Sequence, residues 1–347
     1  MLTLDLQKLT REPIPMATGW LLGSCMESRG KQDLWTQQKP EVLEVLREQA
    51  VIQSSESSNR IEGVTVSPER LRPIVIGRVR PRDRSEEELG GYRSGLDWIF
   101  SRKRRVDLTP DVVLRLHSLA QGGSAGDAGE WKKRDNEIIE IFPDGRASVR
   151  FVAVPAKKTG AMMASLCVRY RTGLETAAIP PLLLIATFVF DFLCIHPFRD
   201  GNGRVSRLTT SLLLQSSGFH VARYVSLERI IEENKEEYYR VLKHCSVGWH
   251  EGKNEIVPWW NFFLGTLRNA YKEFERQVES AQARPAKSDL IRRAILAQIE
   301  PFTLADISAQ LKVVSTQLIK KVLADLKVEG HVRLAGHGRG ARWETLR

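Results

Sequence analysis

Apolar positions recur at helical spacing along most of this 347-residue chain, with one interruption near its middle and a change of character near its end. Between Lys39 and Ile61, the spacing of Val42, Leu43, Val45, Leu46 and Ile52 predicts a helix with a serine-rich last turn, and Gly63 supplies its stop. A second helix is predicted over Ser85 to Ser101. Thr109 and Pro110 then offer an N-cap and a first-turn proline to VVLRLHSLA. From Glu137 to Ala153 the period changes: IIEIF and SVRFVAV are β-branched and aromatic runs on either side of Pro143-Asp144-Gly145, which predicts a hairpin inserted in a helical protein. Pro180 and Pro181 open LLLIATFVFDFLCI, apolar all round and therefore a buried central helix. It runs through HPFRDGNGR into a further apolar helix, VSRLTTSLLLQSSG.

After Tyr271 the chain turns polar, and SAQARPAKS at residues 280–288 reads as a linker with nothing to bury. The last stretch gives a helix (DLIRRAILAQI), a short helix (LADISAQL), a three-residue joint, a longer helix (STQLIKKVLADLKVEG) and two short strands around glycines, the order of a winged helix-turn-helix. The predicted organisation is an N-terminal helical region over 1–84, a helical core over 85–279, the linker and a winged helix over 289–347.

Composition narrows the class. A chain with 42% hydrophobic residues can bury a real core, and 52 Lys and Arg against 42 Asp and Glu leave a charge of +10 that suits polyanionic partners. The N-terminus lacks an uninterrupted apolar stretch, and the longest one, Pro181 to Ile195, holds 15 residues including Asp191, so neither a signal peptide nor a membrane span is expected. Cys25, Cys167, Cys194 and Cys245 stand far apart without CxxC spacing, which predicts reduced structural thiols, a cytoplasmic location and no zinc site.

The segment His196 to Arg207 carries the chemistry. Gly201 and Gly203 let the backbone approach a ligand, and the N–H groups of the following helix, with the positive end of its dipole, make an anion cradle. Arg204 and Arg207, three apart, can both reach a polyphosphate; Asp200 suits Mg²⁺, and His196 can take a proton near neutral pH. The whole segment resembles the motif HxFx(D/E)GNGRxxR of the Fic family of AMP transferases. The hairpin resembles that family's target-docking flap, AGEWKKRDN the approach to it, and Asn234 to Tyr239 (NKEEYY) the element bordering adenosine, so the likeness covers roughly Glu86 to Phe274.

The resemblance implies a mainly α fold, a Fic-type helical core with an inserted β-hairpin flap, and transfer of AMP from ATP to a Tyr, Thr or Ser hydroxyl with loss of pyrophosphate. His196 would be the general base and Asp200 the Mg²⁺ ligand. Gly201, Asn202 and Gly203 would bind phosphate oxygens, Arg204 the β- and Arg207 the γ-phosphate, with Phe198 as buried anchor and Asn234, Tyr238 and Tyr239 beside the adenosine. Ser58 to Gly63 fits the inhibitory (S/T)xxxE(G/N) helix of the same family, which implies that Glu62, with Ser58, restrains the enzyme through Arg207.

Other residues read more plainly. His117 is expected as a hydrogen-bonded core or surface residue; His220, His244 and His250 lack ligand spacing, and Trp259, Trp260, Phe262 and Phe263 are expected in a helix core. Residues 287–347 hold 11 Lys and Arg against 6 Asp and Glu, so Ser315, Thr316, Gln317, Lys320 and Lys321 with Arg333, Arg339 and Arg342 could meet DNA, or the unit could dock protein. Expected partners are ATP and a hydroxyl-bearing protein seated on 138–152, with DNA and a homodimer as open alternatives and no membrane. The rival readings are a DNA-binding regulator with a nucleotide-sensing core, and a hydrolase that removes AMP.

Overall fold

The computed structural model describes residues 2–346 except 38–39, 103–104, 123–125, 142–144, 284–286, 299–300, 312–313 and 336–341. The chain divides into two compact units, Met1–Glu275 and Arg276–Arg347. The first is helical: α1 (Leu6–Leu9), α2 (Met16–Thr36), α3 (Pro40–Ile61), α4 (Pro68–Val75), α5 (Arg84–Phe100) and α6 (Pro110–Ala120) lead into the hairpin β1 (Glu137–Ile141) and β2 (Ala147–Val152). Then follow α7 (Ala156–Thr176), α8 (Pro181–Ile195), α9 (Asn202–Ser216), a 3₁₀ turn at Val221–Arg223, α10 (Leu227–Glu233), α11 (Lys235–Ser246) and α12 (Val257–Ala283).

The predicted helices form for the anticipated reasons. Thr109 Oγ1 caps Val112 N at 3.3 Å in front of Pro110, and Asp83 caps Glu86 N ahead of α5. Helix α8 is the hub of the core: of its fifteen residues only Pro181 and Leu193 are not buried, and Phe188, Phe190 and Phe192 have no exposed surface. Each such side chain removed from water contributes about 1.5–3 kcal/mol. Asp191 interrupts this run for a structural reason: its carboxylate accepts from Thr3 N (3.0 Å), Leu4 N (2.7 Å) and Trp249 Nε1 (2.7 Å), pinning the N-terminal segment to the core. Trp259 and Trp260 are core, donating to Ala186 O and Thr187 Oγ1. All four cysteines are buried free thiols. Among the described residues no helix is long and apolar enough to cross a membrane.

Helix α2 was not predictable from periodicity. Its apolar residues lie on all sides, with Met16, Trp20 and Leu34 exposed while Thr18, Cys25 and Gln32 are buried.

In the hairpin, β1 and β2 pair antiparallel with Ile139 opposite Val149 and a bulge at Ile138/Ile139. Pro143 and Asp144 of the expected turn lie outside the described residues; Gly145 has φ 81°.

The second unit comprises the end of α12, then α13 (Lys287–Leu296), α14 (Leu304–Gln310), α15 (Thr316–Val328) and the antiparallel pair β3 (Val332–Ala335) and β4 (Arg342–Thr345). Much of the expected linker is helical, since α12 continues through Ala283 and α13 begins at Lys287. Thr303 and Asp306 form a capping box on α14, Ser315 caps α15, and Phe302 pairs with Trp343 beside the hairpin. Ile291, Ile295, Phe302, Ile307, Ile319, Leu323 and Leu326 make up most of the core. Arg339 lies outside the described residues.

Candidate active site

The site is built on the turn from α8 into α9. His196 ends α8 in the left-handed region, φ 51° and ψ 62°, a conformation that costs a non-glycine residue about 1–2 kcal/mol. Its N–H still bonds Phe192 O at 2.9 Å, and its ring Nδ1 lies 3.3 Å from Leu193 O. Donation from Nδ1 to that carbonyl leaves Nε2 as a bare acceptor. Burial, aided by the charge of Lys132, pushes the imidazole pKa down to about 4, so the ring is neutral at pH 7.

The loop beyond it is fixed by side chains. Phe198 is fully buried and stacks on His117 and Trp131, with ring centroids 3.8 and 5.2 Å apart. His117 also meets Asp200 O through Nε2 (3.2 Å) and accepts from Gly129 N through Nδ1 (3.0 Å), so it is a core histidine that supports the loop. Asn202 was expected on a phosphate. Its Oδ1 accepts from Phe198 N (2.9 Å) and its Nδ2 donates to Phe198 O (2.8 Å), which ties the loop into a ring at the start of α9. Gly201, at φ 78°, is the N-cap, a conformation that favours glycine.

Arg204 is 1% exposed and pairs with Glu88 (Nη1 to Oε2, 2.8 Å) and Asp200 (Nη2 to Oδ2, 3.3 Å). Arg84 bridges the same two carboxylates, at 2.8 Å to Glu88 and 2.5 Å to Asp200. The Asp200 side chain is half exposed. A single hard carboxylate is what Mg²⁺ takes alongside phosphates and water, but here the Asp200 oxygens are engaged by Arg84, Arg204 and Gly201 N, and among the described residues no group of three or more His, Cys, Asp and Glu could hold a metal ion.

Arg207 is buried. Its Nε donates to Ser58 Oγ (2.9 Å), and its Nη2 to Ser58 O (2.9 Å) and Glu62 Oε1 (2.8 Å). Burial opposes its charge, but Glu62 beside it holds its pKa above the ordinary arginine value. Its Nη1 has no partner among the described residues, a buried donor suited to an anion. The Glu62 carboxylate also lies over Gly203, so close that a Cβ there would collide with Oε1. It therefore places a negative charge at the N-terminus of α9, where helix dipole and free N–H groups favour one. Two contacts seat the end of α3: Arg60 forms a bidentate pair with Glu232 (2.7 and 2.9 Å), and Tyr239 Oη donates to Ile61 O at 3.3 Å.

A cleft of about 440 Å³ opens beside these groups, lined by Glu62, His196, Gly203, the hairpin residues Ile138 to Glu140 with Arg150 and Phe151, and Tyr238 and Tyr239 of α11. Asn234 is not in its lining; its Nδ2 donates to Ile230 O at the joint of α10 and α11. Sequence reasoning missed Arg84 and Glu88, and it did not assign Lys132, Asn136 or His117 to the site. Only the pre-hairpin segment AGEWKKRDN carried a signal that could have found any of them.

Comparison with known proteins agrees with this geometry. Residues 107–214 match the family model described as Fic/DOC family. The protein adenylyltransferase Fic of Drosophila melanogaster is 24% identical over 207 residues, 58% of this chain and 39% of its own length, so the match spans well under half of that relative. Among solved structures, a Fic family protein from Desulfovibrio desulfuricans G20 superposes with a TM-score of 0.63 at 22% identity, covering 96% of this chain and 97% of its own. A Fic domain containing signaling protein from Bacteroides thetaiotaomicron gives 0.61 at 20% identity, over 74% of this chain and 97% of its own. At such identities these structures speak for the fold. The turn from His196 to Arg207, with α6, α8 and most of α9, thus lies within the stretch that matches the Fic/DOC family model, and the chain takes the fold of these Fic proteins.

Proposed function

We propose that this protein transfers AMP from ATP to a hydroxyl side chain of a protein, and that Glu62 holds the reaction in check. The observation that carries this reading is the pair of Glu62 and Arg207 above the N-terminus of α9: a carboxylate occupies the place where an anionic ligand would sit, within a cleft shared with a neutral histidine. The Drosophila relatives are named protein adenylyltransferases, which supports the reaction class.

In this reading the triphosphate lies along the start of α9, its γ-phosphate drawn to Arg207 and its β-phosphate to Arg204, with Tyr238 and Tyr239 flanking the nucleoside. A target hydroxyl seated against the hairpin attacks the α-phosphorus while its proton passes to Nε2 of His196. The bond to the bridging oxygen breaks, and pyrophosphate leaves. Removal of the base costs ~10²–10⁴-fold in rate. Mg²⁺, held by Asp200, would offset phosphate charge. Glu62 competes with the γ-phosphate for Arg207 and repels it, so ATP binds with its α-phosphorus out of line. The same carboxylate borders the cleft beside His196, which favours hydrolytic removal of AMP as a second activity.

The second unit is read as a winged helix whose α15 turns Thr316, Gln317, Lys320 and Lys321, all exposed, toward solvent for DNA, and the protein as cytoplasmic. With α-labelled ATP and lysate proteins, Glu62→Gly should transfer AMP ~10²-fold faster than the parent, and His196→Ala on that background should bind ATP without transferring it. Absence of label from every protein, the chain itself included, would sink the proposal.

A further inference from the structure

The five residues ahead of the hairpin hold the catalytic turn by its carbonyls. Lys132 N donates to Pro197 O at 2.9 Å, and its ammonium donates to Ile195 O at 3.2 Å and to Asn136 Oδ1 at 2.7 Å. Asn136 in turn donates from Nδ2 to Phe198 O at 2.9 Å. The carbonyls just before His196, just after it and one further on are therefore all bound by this one segment. The same segment fixes the base of the hairpin, where Ala153 N donates to Asn136 O at 3.4 Å, and the start of α7, where Ala156 N donates to Asp135 Oδ1 at 2.7 Å.

Lys132 is placed at a cost. It is 5% exposed, and burial brings its pKa down to about 8. A buried ammonium whose nearest acceptors are a carbonyl and an amide is expensive compared with an apolar side chain of the same length. Asp135 is the charge that favours the ammonium there, and the left-handed backbone of His196 needs something to hold it against relaxation.

We propose that Lys132 and Asn136 are positioning residues that set His196 in register with a target seated on the hairpin. They touch neither ATP nor the hydroxyl; they act through the carbonyls of the turn. The inference rests on the AMP-transfer reading for its rate measurement, but its second readout does not.

The test uses full-length protein. On a Glu62→Gly background, Lys132→Met should lower kcat for AMP transfer by ~10²-fold, the scale of a ~1 Å misplacement, while the Kd for ATP stays within about twofold, and Lys132→Arg should recover most of the rate. Asn136→Ala should give the same split, which keeps the test decisive if Lys132→Met fails to fold. In the parent, the His196 ring is followed by NMR against pH. Lys132, Glu62 and Arg150 are the charged groups that face it, so loss of the lysine charge should raise its pKa from about 4. Unchanged kcat, ATP affinity falling in step with kcat, or an unmoved His196 titration would each overturn the proposal. Lack of transfer by the Glu62→Gly protein itself would count against the activity and leave the titration to judge this inference.

Discussion

Glu62 and Gly203 share one space: the carboxylate oxygen of the first lies where a side chain on the second would begin. The absence of a Cβ on α9 is thus what allows the end of α3 to reach Arg207, 145 residues away in sequence. The ion pair and the bare helix start are one device.

That relationship predicts a reversal of sign. Gly→Ala within a helix ordinarily stabilises by about 0.5–1 kcal/mol, but Gly203→Ala in the parent must displace Glu62 and should destabilise by about 1–3 kcal/mol. On a Glu62→Gly background, where the Arg207 guanidinium at 3.1 Å remains beside the new methyl, the same substitution should cost clearly less. Denaturant unfolding of the four proteins measures the coupling, and equal effects in both backgrounds would refute the shared space.

The clasp of Arg60 on Glu232 is partly exposed, with side chains 41% and 23% accessible, and such pairs are worth about 1 kcal/mol at most. Glu232→Ala should therefore free α3 only partly, raising AMP transfer up to about fivefold, well short of Glu62→Gly. A rise as large as that of Glu62→Gly would make the clasp, and not the Arg207 pair, the main restraint.

His117 and His196 both have pKa values pushed down to about 4, chiefly by burial, from an unfolded value near 6.5. The unfolded chain binds their protons first, so their contribution to stability is present above pH 6.5 and is lost as pH falls toward 4. Between pH 7.5 and 5.5 the loss should be about 1 kcal/mol for each. Unfolding free energies across that window, in the parent and in His117→Gln, check the sign and should show a shallower slope in the variant.

If the second unit binds DNA, affinity should fall steeply with salt, and Lys320→Ala or Lys321→Ala should each shallow the logarithmic slope by about one unit. Both lysines are exposed on α15, Lys321 roughly opposite and Lys320 beside the face formed by Ile319, Leu323 and Leu326, so neither change should affect folding. No binding to mixed-sequence duplex at low salt would leave protein docking as the role of this unit.

Local chemistry along the chain was not enough for α4, α7, α10 or α11, but it was enough for α3, α5, α6, α8, α9, the hairpin and the order of elements in the last unit. Each has a signal within a few residues of itself: Thr109 and Pro110 before α6, two prolines before α8, the shift to period two at Ile138. The turn that carries the candidate site was legible for the same reason, because His196 to Arg207 are contiguous. Helix α2 was not, since a helix with polar residues buried and Trp20 exposed has no stripe to read.

What only the tertiary structure decided is which distant groups meet that turn. The sequence names Asn202 and Arg204 but does not reveal that the first is bonded within its own loop and the second is held by Glu88. It contains Lys132, Asn136 and His117 but not the fact that all three hold the turn around His196. Hydrogen bonds and ion pairs act over about 3 Å in space, whatever the separation along the chain. Residues far apart in sequence become neighbours only once the helices have packed, and periodicity cannot count across that distance.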